Sequence, residues 1–318
     1  MKANIREFEG SDYPSIALVH DSNFPGLPFF RKRVEYEDSC YGRTRYRMKR
    51  LVAESGSGEV VGFGEYKHLF FSYHPRKFAI DIEVRPEWQK RRVGGMLYHQ
   101  IMQELSRMEA ETASPLVLST SISAVEFLLK RGFVQKRVGI ESRLDLEDFD
   151  PHRFSASVDS LRGIGMTITS FSDEMTNNQS AGKKFKDLED SGAADVPGAL
   201  SDLPMNFHDY EIIILNNPLM IWEGSFVAKL GGVYAGSSSI FESGQSGMVD
   251  QGFTVVNPAY RGRGVARALK AQVATCAKSK GYRYIRTYND SENAPMLAVN
   301  RKIGFAKQAE WLFFEKLL

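Results

Sequence analysis

The feature that most constrains this chain is a repeat held in constant register. VRPEWQKRRVGGML, from Val84 to Leu97, reads like VNPAYRGRGVARAL, from Val256 to Leu269, an offset of 256 − 84 = 172. The same offset relates Lys130-Arg131-Gly132-Phe133 to Lys302-Ile303-Gly304-Phe305, since 304 − 132 = 172. Two separate motifs in unchanged register mark a duplicated domain, and each copy must then bury a core of its own. Upstream the register drifts to 175, between LVAES at Leu51 and FVAKL at Phe226, as small loop differences would produce. A length of 318 residues suits two domains of ordinary size. The expected division is 1–147 and 148–318, with Asp148 to Gly165 as a linker holding a short helix.

The second copy sets out the order of elements. MTITSF, from Met166, reads as a strand, and SDEMTNNQSAGKKFKDLED as one helix with Ser172 or Asp173 as its N-cap. After a polar loop from Ser191 to Pro204, a second helical piece is expected near Asn206 to Asn217. SFVAKLGGVYAGSSSIF reads as a hairpin turning at Gly231-Gly232, and MVDQGFTVV as the next strand. Val265, Leu269, Val273 and Cys276 stripe one face of a helix that Gly281 ends. YRYIRTYN is a further strand, and a helix starting at Pro295 closes at Gly304. Strands alternating with helices imply an α/β fold, and the hairpin makes its sheet mixed.

Charge and cysteine usage narrow the function. A formal net charge of +2 argues against a general nucleic-acid binder, so the eight Lys/Arg between Arg31 and Arg50 read as a solvated helix and loop. Cys40 and Cys276 belong to no CxxC pattern, which points to a reducing compartment without structural zinc. The six histidines show no metal-binding pair, and no metal site is expected. No run approaches the length of a membrane span, and the start lacks an apolar leader, so a cytoplasmic location is expected.

The chemistry concentrates in NPAYRGRGVARALK, from Asn257 to Lys270. A helix start exposes unpaired backbone N–H groups and the positive end of the helix dipole, which together suit a phosphate. Gly262 and Gly264 let a ligand approach the backbone, and Arg261 and Arg263 add positive charge. Two readings remain open on these residues alone: an anion seat, or a tight strand-to-helix connection. The spacing is neither that of a Walker loop nor that of a dinucleotide fingerprint.

Taken together, Arg261-Gly262-Arg263-Gly264-Val265-Ala266 after a strand, Asn293 opening a helix and Gly304-Phe305 closing it resemble the acyl-CoA motif of the GNAT acetyltransferase superfamily. The repeat extends the resemblance over nearly the whole chain, which implies two tandem GNAT domains, each a mixed, mostly antiparallel sheet flanked by helices. What it implies is direct transfer of an acetyl group from acetyl-CoA to an amine, without a covalent enzyme intermediate. It further implies that the backbone of Val255 and Val256 bonds the pantetheine arm and that the amides from Arg261 to Ala266 hold the pyrophosphate. Asn293 would touch the pantetheine or order the site.

The resemblance also places the catalytic groups. A base is implied eleven residues before the motif's first Arg or Gln, and 261 − 11 = 250 is Asp250, which is otherwise a solvated strand-end carboxylate. The superfamily's acid is often a Tyr four residues before the closing Gly, and Asn300 stands there. Tyr288, water or an unassisted thiolate would take its place. In the first copy, Gln89-Lys90-Arg91-Arg92-Val93-Gly94 carries Arg92 where the second has Gly264. The same count, 89 − 11 = 78, falls on Phe78, and Leu128 holds the Tyr position. A catalytic second domain is therefore expected, beside a first that is structural or binds CoA without turnover.

Asp187, Glu189, Asp190, Asp195 and Asp202 would draw a cationic amine towards the second copy, or form an ordinary polar loop. The function expected is an acetyl-CoA-dependent N-acetyltransferase acting on a small-molecule amine. Its rivals are a non-catalytic acyl-CoA sensor or scaffold and a protein or peptide N-acetyltransferase. Two fused copies supply internally a pairing that single domains obtain by dimerising, so a monomer is expected.

Overall fold

A computed structural model describes residues 3–193 and 203–318. They form two compact units. The first takes in 3–137, 203–205 and 312–318, and the second 138–193 and 206–311.

The first unit runs β1 (Ala3–Glu7), α1 (Tyr13–Asn23), α2 (Arg31–Tyr41), β2 (Met48–Ser55), β3 (Val60–Lys67), β4 (Lys77–Val84), α3 (Val93–Arg107), β5 (Thr112–Leu118) and α4 (Ile122–Leu129). The strands lie in chain order; β4 and β5 pair parallel, the other pairs antiparallel. KFAIDIEV shows why β4 divides the unit into two faces. Phe78, Ile80 and Val84 join the core under α3, with Val93, Leu97 and Ile101. Asp81 and Glu83 alternate to the other face, where Ile16 and Val19 of α1 pack on Val52 and Phe63.

The second unit runs β6 (Val134–Asp145), α5 (Ser155–Gly163), β7 (Thr167–Ser170), α6 (Phe171–Asn177), α7 (Ala181–Ala193), α8 (Phe207–Tyr210), β8 (Phe226–Leu230), β9 (Val233–Glu242), β10 (Met248–Val256), α9 (Val265–Ser279), β11 (Tyr284–Asp290), α10 (Ala294–Ile303) and β12 (Ala306–Leu317). Its strand order is β12-β6-β11-β10-β9-β8-β7, with β10 and β11 parallel. The hairpin turns where expected, with Gly231 and Gly232 both left-handed at φ +55° and +81°. The long helix expected after MTITSF is instead two, α6 and α7. Asn178 breaks it at extended φ and ψ (−141°, 100°), and its Oδ1 accepts from the Ser180 N–H at 3.1 Å. The cap of α6 is Ser170, whose hydroxyl accepts from the Asp173 N–H at 3.0 Å, rather than Ser172 or Asp173.

The cut expected at Glu147 falls inside the second unit, because the closing strands are exchanged. Residues 138–145 of β6, which end the first copy, pair with β11. Residues 312–317 of β12, which end the second copy, belong to the first unit, where β12 neighbours β5. Phe314 is accordingly 2% exposed in the core of the first unit. Phe314→Ala should cost about 3–5 kcal/mol, and hydrogen exchange should show protection lost in α3 and β5. Loss confined to α9 and β11 would contradict the exchange.

Candidate active site

In the second unit β10 and β11 pair only from Met248↔Tyr284 to Asp250↔Arg286. Beyond that point β10 bulges, carrying one more residue than β9 between Gln251 and Thr254. A buried polar chain supports the bulge. Lys270 Nζ donates to Gln251 Oε1 at 2.7 Å, Gln251 Nε2 donates to Ser238 Oγ at 2.8 Å, and Thr254 Oγ1 lies 2.8 Å from Ser238 Oγ. Val255 and Val256 then pair with Ser237 and Gly236 of β9, and no β11 residue is paired with this part of β10.

The turn follows at once. Asn257 Oδ1 accepts from the Ala259 N–H at 3.1 Å and fixes a single 3-10 turn over Pro258–Tyr260. Arg261 Nε donates back to the Val256 carbonyl at 3.2 Å, and the Arg263 guanidinium lies 5.6 Å from the Tyr260 ring. Gly262 and Gly264 are left-handed, at φ +76° and +82°. The first bond of α9 runs from the Ala268 N–H to the Gly264 carbonyl at 3.0 Å. The N–H groups of Val265, Ala266 and Arg267 therefore have no acceptor within the helix. Three such donors at the positive end of a 15-residue helix make a seat for an anion.

The first unit repeats this backbone without the glycines. Pairing of β4 with β5 ends at Ile80↔Pro115, while β4 runs on to Val84. Lys90 and Arg92, the counterparts of Gly262 and Gly264, stand at φ +59° and +70°. An L-residue there costs roughly 1–2 kcal/mol, yet the turn is kept. Arg92 thus offers the same backbone as Gly264. The parting strands open a cleft of ≈ 420 Å³, lined among others by Ile82, Gln89, Arg92, Gly94, Leu116 and Phe127.

Asp250 and Tyr288 are brought together on one face of the second unit. Arg286 donates from Nε and an outer nitrogen to the two Asp250 oxygens, at 2.8 and 3.1 Å. Tyr288 is two residues further along β11, with the Arg286 guanidinium 5.6 Å from its ring. Burial first, and the neighbouring Glu141 carboxylate, raise the Tyr288 hydroxyl above its ordinary range. Asn293 caps α10, its Oδ1 accepting from the Met296 N–H at 3.2 Å. Asn300 is buried and donates to Asn289 Oδ1 at 2.6 Å, while its own Oδ1 has no partner. Burial pushes the Glu189 carboxyl up to about 7 against the hydrogen bond from Tyr210. Asp195 and Asp202 lie outside the described residues.

The count of eleven misplaces the first copy. Asp250 pairs with Arg286, and 286 − 172 = 114 is Ser114, whose partner is Ala79 rather than Phe78. The extra residue in the β10 bulge accounts for the slip. Phe78 itself is core, stacked on His68 at 4.3 Å. Two and four residues beyond Ala79 on its own face stand Asp81 and Glu83. The strict alternation of KFAIDIEV carries that signal.

The model of the acetyltransferase (GNAT) family matches residues 11–133 and 199–305, one stretch in each copy. No curated protein matches the chain. Among solved structures it resembles a GCN5-related N-acetyltransferase from Sphaerobacter thermophilus, at 15% identity and TM-score 0.72 over 99% of this chain and 95% of that one. It also resembles a tandem GNAT protein from the clavulanic acid biosynthesis pathway, at 16% identity and TM-score 0.73 over 99% and 98%. At such identities these likenesses establish the fold, a tandem pair of mostly antiparallel sheets flanked by helices. With both copies matched by the family model, the chain belongs to the acetyltransferase (GNAT) family.

Proposed function

We propose that the chain moves an acetyl group from acetyl-CoA directly to the primary amine of a small molecule, with the second copy, within 148–318, as a catalytic one. The observation that carries this reading is the turn at Arg261 to Ala266. Its left-handed glycines and three unpaired helix N–H groups follow directly on a strand that has parted from its neighbour. The amides of Gly262, Arg263, Gly264, Val265 and Ala266 seat the pyrophosphate, whereas the Arg261 N–H is turned to the Pro258 carbonyl at 3.3 Å, so that residue contributes its charge rather than its amide. The backbone of Val255 and Val256 meets the pantetheine, and Asn293 orders the site by capping α10.

Asp250 accepts the amine proton, and the paired hydrogen bonds from Arg286 fix its direction. Tyr288, kept protonated by its surroundings, gives a proton to the departing sulfur. A panel of small primary amines, assayed for CoA release, tests the reading. Asp250→Asn should lower kcat about 100-fold or more, with acetyl-CoA binding unchanged by calorimetry. Tight binding of acetyl-CoA with no amine turned over would replace this reading by that of a sensor.

A further inference from the structure

The first unit holds a cluster of charged side chains that the second copy's chemistry does not use. Glu65 on β3 pairs across to Asp81 on β4, and across on the other side to Arg50 on β2. Arg50 is divided between Asp38 of α2 and Glu65, each at 2.7 Å, and Lys67 lies 2.6 Å from Glu65. The cations that act on Asp81 are Lys67 and His20, and each is already held by another carboxylate. The cluster is therefore short of positive charge.

His20 and Glu83 hold one proton between them. The His20 Nε2 faces the Leu27 carbonyl at 2.9 Å, which only accepts, so Nε2 carries a hydrogen. Nδ1 then meets Glu83 Oε1 at 2.9 Å, and that contact needs a proton on one partner or the other. Burial opposes the charged ring, but the Glu83 hydrogen bond and charge raise the His20 pKa overall. Glu83 is 7% exposed, and its second oxygen, Oε2, is buried without a hydrogen-bond partner. Such an oxygen takes a donor that the side chains around it do not supply, a water or a ligand cation. Asp81, on the same face, reaches solvent and lines the ≈ 420 Å³ cleft. Although the residue is exposed, the protein packed around its carboxyl, and then the charges of Glu83 and Glu65, raise that group above the ordinary range.

We propose that this cluster, where Asp81 brings it to the cleft, is a second acceptor site, taking a small diamine cation, and that Asp81 is its base towards an acyl thioester seated in that cleft. The proposal rests on the acyl-thioester reading of the chain but not on the turn at Gly264. One ammonium of the diamine supplies the donor that Glu83 Oε2 lacks. The other loses a proton to Asp81, so that an O–H bond forms as an N–H bond breaks. The freed lone pair forms the C–N bond to the thioester carbonyl as the C–S bond breaks. The second nitrogen proton leaves with the sulfur as thiol, and Asp81 returns its proton to solvent. Asp81 titrates among Glu83 on its own strand, Glu65 and Lys67 on β3 and His20 on α1, with Glu37 of α2 acting in turn on Lys67. The rate should rise with pH through its raised range, because the carboxylate is the working form.

The test uses the full chain, acetyl-CoA and 1,4-diaminobutane, with CoA release followed from pH 6 to 9. Gly264→Glu should retain diamine acetylation. Asp81→Asn on that background should lower kcat about 100-fold or more and remove the rise with pH, with melting temperature and thioester affinity unchanged. Glu83→Gln should act chiefly on KM for the diamine. Unchanged kcat in Asp81→Asn, or no diamine-dependent release from Gly264→Glu at any pH, overturns the proposal. The latter outcome leaves the second unit's reading standing. Full activity in Gly264→Glu with none in Asp81→Asn supports this site and removes the other.

Discussion

Gly264→Glu is expected to weaken acetyl-CoA binding in the second unit roughly a thousand-fold, and Gly264→Arg far less. Both variants put a side chain at φ +82°, and Arg92 shows that the same turn accepts one at φ +70°. Both have room, since a Cβ at Gly264 meets nothing nearer than an outer nitrogen of Arg267 at 3.7 Å. The backbone cost of roughly 1–2 kcal/mol is common to them, so charge separates the pair. A carboxylate about 4 Å from a phosphate oxygen costs about 4 kcal/mol at the effective dielectric of a protein surface, and that is about three decades in affinity. Calorimetry with acetyl-CoA measures both. Equal weakening would make close approach, rather than charge, the purpose of the glycine. No weakening by either would remove the pyrophosphate from this turn.

The same comparison shows what the sequence could and could not disclose. Period-two and period-3.6 patterns placed β8 to β11 and α9, because burial on one face dictates them directly. The left-handed turn was legible at Gly262 and Gly264, where glycine is the signal. It was not legible at Lys90 and Arg92, where the surrounding fold imposes the same dihedrals on residues that disfavour them. Strand exchange left no mark, since Gly132-Phe133 and Gly304-Phe305 each lead into a strand whose pattern fits either sheet edge. The distance from motif to base failed for a local reason. A bulge adds one residue to β10 and none to β4, and a strand turns over its faces with every residue counted. Asp81 and Glu83 were visible in the alternation of KFAIDIEV, but a count that landed on Phe78 pointed to the wrong face.

Lys270 should make the second unit more stable as pH rises from about 7 towards 10. Its side chain is 2% exposed, donates to Gln251 Oε1 at 2.7 Å, and lies 5.3 Å from the Phe305 ring. Burial pushes the ammonium down to about 7, from 10.5 in the open chain. Below pH 7 the lysine is charged in both states, and the folded state carries the whole cost of burying the charge. Between those two values the unfolded chain binds a proton that the folded one does not, so unfolding becomes harder as pH rises. At 1.36 kcal/mol for each pK unit, the ceiling is about 4–5 kcal/mol. Lys270→Met removes this dependence, although it strips Gln251 Oε1 of its donor at a cost of about 1–3 kcal/mol. The informative quantity is therefore the change in the stability difference between wild type and variant, from denaturant unfolding at pH 6.5 and 9.5. Wild type should gain on Lys270→Met by several kcal/mol over that interval. Parallel curves would mean that Lys270 stays charged within the fold, held by Gln251 and Phe305, and that the bulge beneath the site rests on a cation.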